Sequence, residues 1–346
     1  MRLAPAYLLV TRCLRPARPL RAMSAAMAVL AVTALAAGCQ AGSGSGTSAA
    51  ARAAITVAAI PGVDDAPLYL AAKNGAFRAA GLDVTIRRYQ SVSKELQALQ
   101  SGHVDVAAGD YADFFYAQAT SRKADLRIVA DGYHAAPGVM EVLTRPGLGI
   151  STPQDLAGKT IGTAEPQVIP IQNGAPYSLE TIATESVLQN DGVNPATVRW
   201  KPLPAGDLIS ALSRHEVSAI LVQEPYIFDA ESQLGAFEVL DSCSGATASL
   251  PLSGYFTVKS FAGKYPAALR EFRSVLQQAQ TNAVLPGPLH AVLAEDSGMS
   301  MQVASLVTIG AYPTSLDPAS LQRVVGLMFN SDVLTSTFDV TPMVLP

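Results

Sequence analysis

From Ile55 onward, short β-branched runs alternate with amphipathic helical stretches, and the same grammar restarts after residue 145. Strands separated by helices pair in parallel, because each crossover returns the chain to the same end of the sheet, and the helices then cover both faces. Ile55-Thr56-Val57-Ala58-Ala59-Ile60 reads as a strand ended by Pro61-Gly62. Asp64 or Asp65 then supplies a helix N-cap, Pro67 falls in the first turn, and Gly75 closes the helix. Residues 82–86, 104–108 and 126–130 read as further strands. Between the first two of these lies a helix capped by Ser91 or Ser93, with Leu96 and Leu99 on its apolar face.

In the second stretch, residues 155–162 read as a helical turn feeding a strand, 179–188 as a helix ended by Gly192, and 198–203 as a strand. Asp207 caps a helix that runs to about His215, and 217–222 is the strand that follows. Residues 140–144 and 255–259 are extended and lie where one half hands the chain to the other. After Lys259 the sequence turns helical: Pro266 precedes Leu269, Phe272 and Leu276; Ser300 precedes 303–309; Asp317-Pro318 opens a helix with Leu321, Val324, Val325 and Met328 at core spacing. The segment from Ala98 to Val106 aligns without gaps to that from Ala211 to Ala219, each a helix end running into a buried strand. Two related halves account for the echo, and so does the general look of helix-to-strand junctions in α/β proteins.

The first forty residues carry five arginines, no acid, and an apolar run from about Met23 to Ala37 that ends in Leu35-Ala36-Ala37-Gly38-Cys39. A charged start, a short apolar core and small residues before a cut site describe an export signal; a membrane span needs ~20 apolar residues. The stretch resembles a bacterial lipoprotein signal, with Ala36 where that pattern prefers leucine. The expected reading is a signal over 1–38, lipid on Cys39, and a flexible Gly/Ser/Ala/Thr tether over 39–53 that holds the chain at the outer face of the cell membrane. An ordinary secretory signal with an incidental Cys39 is the alternative.

Removal of 1–38 takes away five arginines and no acid, so the formal charge moves from −4 to −9. That balance argues against nucleic acid and anionic lipid surfaces as partners, which are held by clustered Lys and Arg. The remaining length is ample for two domains with a full core. Cys243 is then the one cysteine left, so no internal disulfide is available, and nothing beside it would activate the thiol. His103, His134, His215 and His290 share no metal-ligand spacing with each other or with a cysteine, and no metal or cofactor motif is legible.

Four landmarks then carry a resemblance. They are Pro67 through Lys73-Asn74-Gly75-Ala76-Phe77 to Ala80-Gly81-Leu82-Asp83-Val84; Leu99-Gln100-Ser101-Gly102-His103-Val104-Asp105; Asp155-Leu156-Ala157-Gly158-Lys159-Thr160-Ile161-Gly162; and Ala211-Leu212 to Val217 with Gln223-Glu224-Pro225 after it. In this order across residues 55–260, the chain resembles the solute-binding proteins of ABC importers, in the group that includes aliphatic-sulfonate, taurine, nitrate and thiamine-pyrimidine-precursor binders. It departs from that group at Ala76, where an aromatic is usual, and at His215 and Ser218, where glycine and aspartate are usual.

The resemblance implies an α/β fold of the periplasmic-binding-protein type II kind: two Rossmann-like lobes, two hinge crossings, and a ligand cleft between the lobes. Residues 54–140 with 257–346 would form one lobe and 145–245 the other. It implies a monomeric extracytoplasmic receptor that passes a small solute to permease and ATPase subunits, without cofactor or catalytic residues.

The loops after the strands then form the mouth of the cleft. They bring Asp64, Asp65 and Tyr69; Ser91 and Ser93; Gly109, Asp110 and Tyr111; Thr163 and Glu165 on either side of Ala164; Gln223, Glu224 and Tyr226; and Gly254 with Tyr255 at the return crossing. Acids recur there, and Lys94 is the one cation close by. Asp64, Asp110, Glu165 and Glu224 favour a ligand that donates hydrogen bonds or carries positive charge, with Tyr69, Tyr226 or Tyr255 stacking on it. The same acids also suit plain helix capping, and helix N-termini with Ser91 or Ser93 suit an anion. Two other functions share the scaffold: an enzyme acting on a pyrimidine or another small metabolite, for which no nucleophile–base pair is legible, and a surface sensor.

Overall fold

Within residues 51–346 the chain builds two five-stranded mixed sheets of the same plan. The structure, a computed structural model, describes residues 52–121, 124–172, 176–283 and 285–346; the expected signal, Cys39 and nearly all of the tether lie outside them. The first stretch runs β1 (Ala53–Ala59), α1 (Ala66–Lys73), α2 (Ala76–Ala79), β2 (Leu82–Arg88), α3 (Val92–Gln100), β3 (Val106–Asp110), α4 (Tyr111–Thr120) and β4 (Leu126–His134). The second runs β5 (Met140–Thr144), β6 (Thr160–Ala164), α5 (Leu179–Asn190), β7 (Arg199–Leu203), α6 (Leu208–Ser213), β8 (Ala219–Gln223), α7 (Tyr226–Leu234) and β9 (Phe237–Asp241). Then come β10 (Pro251–Val258), α8 (Lys259–Lys264), α9 (Pro266–Asn282), α10 (Pro286–Asp296), α11 (Met301–Ala304) and α12 (Pro318–Asn330).

The first sheet has the order β2-β1-β3-β10-β4 and the second β7-β6-β8-β5-β9. β1 lies parallel to β2 and β3, as β6 does to β7 and β8, while β10 and β5 run antiparallel to both of their neighbours. In each sheet the reversed strand is the one that arrives from the other lobe. The two extended stretches at the handovers are thus sheet strands, β5 in the second sheet and β10 in the first, and the chain crosses between lobes over residues 135–139 and 242–250.

The internal echo is a shared backbone motif. α3 and α6 both end in a Schellman turn: the His103 N–H donates to the Ala98 carbonyl and the Glu216 N–H to that of Ala211, each at 2.9 Å. The left-handed residue of the turn is Gly102 (φ 73°) in one lobe and His215 (φ 61°) in the other. Three residues on, Asp105 N–H and Ser218 N–H donate to the Thr56 and Thr160 carbonyls, each at 2.8 Å, and so start equivalent strands. The helix expected over 303–309 is shorter and earlier: α11 covers Met301–Ala304, started by the Ser300 hydroxyl accepting the Val303 N–H at 3.1 Å.

Helices α4, α9 and α12 bury apolar faces on the first sheet. Phe114 stacks on Phe256 at 4.2 Å between ring centroids and Phe77 on Phe272 at 5.2 Å. A separate apolar cluster in the second lobe joins Leu208, Leu212, Val217, Ile220 and Ile227, beneath α6 and α7. No helix among the described residues is long and apolar enough to cross a membrane.

Candidate functional site

The carboxyl ends of β1 and β3 face the start of α5 and the end of β8 across a cavity of about 200 Å³. A smaller chamber of about 100 Å³ shares Gly62, Asp64, Tyr133 and Gln223 with it and reaches Glu224 and Thr308. From the first lobe come Asp64 and Asp65 after β1, Glu95 on α3, Gly109 and Asp110 at the end of β3, and Ser253 on β10; from the second come Glu180 and Gln223. Ile60, Val92, Leu252 and Tyr133 supply apolar wall. The lining contains five carboxyl groups and, among the described residues, no lysine, arginine or histidine.

Each acid reaches the cavity by a local route. Asp110 is the N-cap of α4: its Oδ1 accepts the Ala112 N–H at 2.7 Å and the Asp113 N–H at 3.2 Å, satisfying two donors of the first turn. Gly109 precedes it because a Cβ there would come within 2.5 Å of the Phe114 ring. Asp65 stands at the N-cap position of α1 with no side-chain cap bond, while Asp64 accepts from backbone N–H groups and from Ser253. Glu180 is the first-turn acid of α5 and accepts the Gln223 amide at 2.8 Å. Glu95 is fully buried, and neither of its carboxyl oxygens has a hydrogen-bond partner in the protein.

Removal from water dominates the charge state of this group. Burial first, and then the charge of Asp64, pushes the Glu95 carboxyl up to about 9. Burial raises Asp65 well above the ordinary carboxylate range, with Asp64 and Glu95 adding to it, and raises Asp64 despite its hydrogen bonds. Asp110 is raised well above that range by burial, then by Glu180 and Asp113. Asp113, on the turn behind it, is pushed up to about 7 by burial and Glu180, while the Ile169 and Val168 N–H groups donate to it from the second lobe. Glu180 thus bears on acids of the opposite lobe.

Glu224 also bonds across the lobes. Its Oε2 accepts the Phe228 N–H and its Oε1 the Thr308 N–H, both at 3.1 Å, and its bond to Pro225 is cis. Thr308 belongs to the chain that bridges onto the end of β4, where the His134 N–H donates to the Ala311 carbonyl at 2.8 Å.

Of the residues expected from sequence, Asp64, Asp65, Gly109, Asp110 and Gln223 line the main cavity and Glu224 the smaller one. The others lie outside both. Ser91 and Ser93 pair with each other at 3.3 Å on the outer turn of α3, where Lys94 is exposed. Tyr69 is buried on α1 with the Arg88 guanidinium 5.5 Å from its ring, and Tyr255 is buried against Phe272. Tyr111 is buried and donates to Asp131 at 2.8 Å, and Gly254 lies against its ring. In the second lobe Thr163 is buried within β6, Glu165 is exposed, and Tyr226 packs on the cluster beneath α6 and α7. The sequence reading missed Glu95, Glu180, Tyr133 and Ser253. A signal for Glu95 was present: it shares the Val92, Leu96, Leu99 face of α3.

Comparison with known proteins gives a family and a fold. A family model described as NMT1/THI5 like matches residues 63–285. No curated protein matches the chain in sequence. The solved structure of the periplasmic aliphatic sulphonate binding protein SsuA from Escherichia coli is similar at TM-score 0.70 and 18% identity, over 85% of this chain and 97% of that one. The periplasmic nitrate-binding protein NrtA from Synechocystis PCC 6803 is similar at 0.65 and 13%, over 84% and 85%. The desulfurization enzyme DSZB is similar at 0.66 and 15%, over 85% and 97%. With two sheets of one plan, a cleft between them and a model match over most of the described residues, the chain belongs to the NMT1/THI5-like family.

Proposed function

We propose that this protein is the extracytoplasmic solute-binding component of an ABC importer, held at the membrane by lipid on Cys39, which captures a small organic solute between its lobes and delivers it to a permease. The observation that carries this reading is a cavity walled from both lobes at the carboxyl ends of parallel strands, where α/β folds hold ligands. A solute touching Asp110 on one side and Glu180 on the other gains contacts only when the lobes are together, so binding biases the molecule toward the closed form. SsuA and NrtA are named for sulphonate and nitrate binding, which supports a transport role; their ligands are anions, and the carboxyl lining here suits a nitrogenous solute better.

DSZB is an enzyme of similar structure, so catalysis is the reading to test against. Cys243 is a poor nucleophile: it is buried off the cavity lining, and its thiol is pushed up to about 12 by burial and Asp241. The test is small-angle scattering and turnover on the full chain incubated with a small-molecule metabolite extract. A fall in radius with stoichiometric, unaltered solute supports the receptor; conversion of solute by substoichiometric protein sinks it. Mass spectrometry of the amino-terminal peptide from membranes checks the anchor, and Cys39→Ala should release the protein to the soluble fraction.

A further inference from the structure

We propose that the solute is an organic cation, an ammonium or amidinium group seated against Glu95 and the neighbouring acids of the interlobe cavity. This rests on the cavity being a solute site and names the chemical class that the site takes.

Glu95 is the principal observation. It is fully buried, lines the cavity, and both of its carboxyl oxygens lack a protein partner. Buried polar groups are almost always hydrogen-bonded, and a carboxyl left bare in a low-dielectric site is costly. A donor-bearing ligand would supply the missing partner. The rest of the lining carries the same sign: Asp64 and Asp65 beside Glu95, Asp110 opposite Glu180. Bases outside the lining do not offset it: Lys73 and Arg88 both pair with Asp296, Arg88 also covers Tyr69, and Lys94 is exposed on α3. Without a ligand, burial keeps protons on several of these carboxyls; a cation that enters can take the place of a proton.

The cation is larger than a metal ion. Among the described residues no three His, Cys, Asp or Glu side chains are grouped so as to hold a metal, and the acids stand around a cavity of about 200 Å³ instead of converging on a point. Ile60, Val92 and Leu252 then contact the organic body while the acids take its charged end.

The experiment uses two series, each on a common phenyl or short alkyl body, whose head groups are cationic, neutral and anionic in turn: benzamidine, benzamide and benzenesulfonate, and butylammonium, butanamide and butanesulfonate. Each is tested by calorimetry and thermal shift on the full chain at millimolar concentration. The expected result is binding of the cationic members, weakened about tenfold or more in Glu95→Gln through loss of a charge-assisted hydrogen bond. Glu180→Gln, at a half-buried position on the other lobe, gives a second loss that does not depend on the α3 core. Preference for the neutral or sulfonate members overturns the cation site and leaves the receptor standing. Cation affinity unchanged in both variants, or no binding of any of the six, also overturns the cation site. The receptor reading fails separately, when no component of a metabolite extract brings the lobes together.

Discussion

Glu224 of the second lobe accepts the Thr308 N–H of the first at 3.1 Å, and the same carboxyl takes the Phe228 N–H at the start of α7. One side chain therefore fixes both the local turn after β8 and its distance from the end of β4. Glu224→Ala should widen the ligand-free molecule, seen as an increased radius of gyration, and cost about 1–3 kcal/mol of stability from donors left unpaired. An unaltered scattering profile would show that the bond does not hold the lobes together.

Empty protein should lose stability as the pH rises. Glu95 titrates near its ordinary value of 4.5 when unfolded and near 9 when folded, so between those limits the folded state binds the extra proton. Its contribution is present in full below about pH 4.5 and declines as pH climbs toward about 9. Each unit of such a shift is about 1.4 kcal/mol, or roughly 2–4 °C in a domain of this size. Melting curves of wild type and Glu95→Gln across this range should converge at the acid end and separate at the alkaline end, with the variant the more stable there.

Asp131 is a structural acid. It is buried on β4, accepts the Tyr111 hydroxyl at 2.8 Å and the Gly132 N–H at 3.1 Å through Oδ1, and lies 2.9 Å from His134 Nε2 through Oδ2. Asp131→Ala should destabilise by about 2–4 kcal/mol, since it strands a buried phenol and a backbone donor together. Urea unfolding measures this. Ligand affinity of the folded fraction should stay within about twofold, because Asp131 is outside the cavity lining.

His215 carries backbone strain that its counterpart Gly102 avoids. An L-residue in the left-handed region costs about 1–2 kcal/mol, partly offset by the greater unfolded-state freedom of glycine. His215 is exposed at the end of α6, so its side chain contributes little packing. His215→Gly should raise stability by about 0.5–1 kcal/mol and leave binding unchanged; a loss in the melting experiment would mean that the imidazole makes a contact worth more than the strain.

Much of the architecture was legible because it rests on local chemistry. The Pro61-Gly62 end of β1, the Schellman turn at Gly102 and the cap at Asp110 are each written within a few residues, and they put Asp64, Asp65, Gly109 and Asp110 at one rim. Strand direction was not legible for β5 and β10, since a short extended run reads the same either way and its pairing partners lie far along the chain. The aromatic residues were misplaced for a related reason. Tyr69, Tyr111 and Tyr255 follow strand or loop signals, yet helix phase and strand alternation turn them toward the core, which burial of ring area favours. Glu95 and Glu180 were passed over because acids in a first helical turn ordinarily serve the helix dipole.

The position of β10 between β3 and β4 also bears on how the molecule is assembled. β4 has no strand neighbour in its sheet other than β10, which is synthesised more than a hundred residues later, whereas β5 to β9 form an uninterrupted stretch. On a growing chain the later lobe can mature first, and the earlier one stays split, with a vacant slot, until residues 251–258 emerge to close it. Truncations that end before Pro251 should therefore yield a folded second lobe beside an unfinished first one.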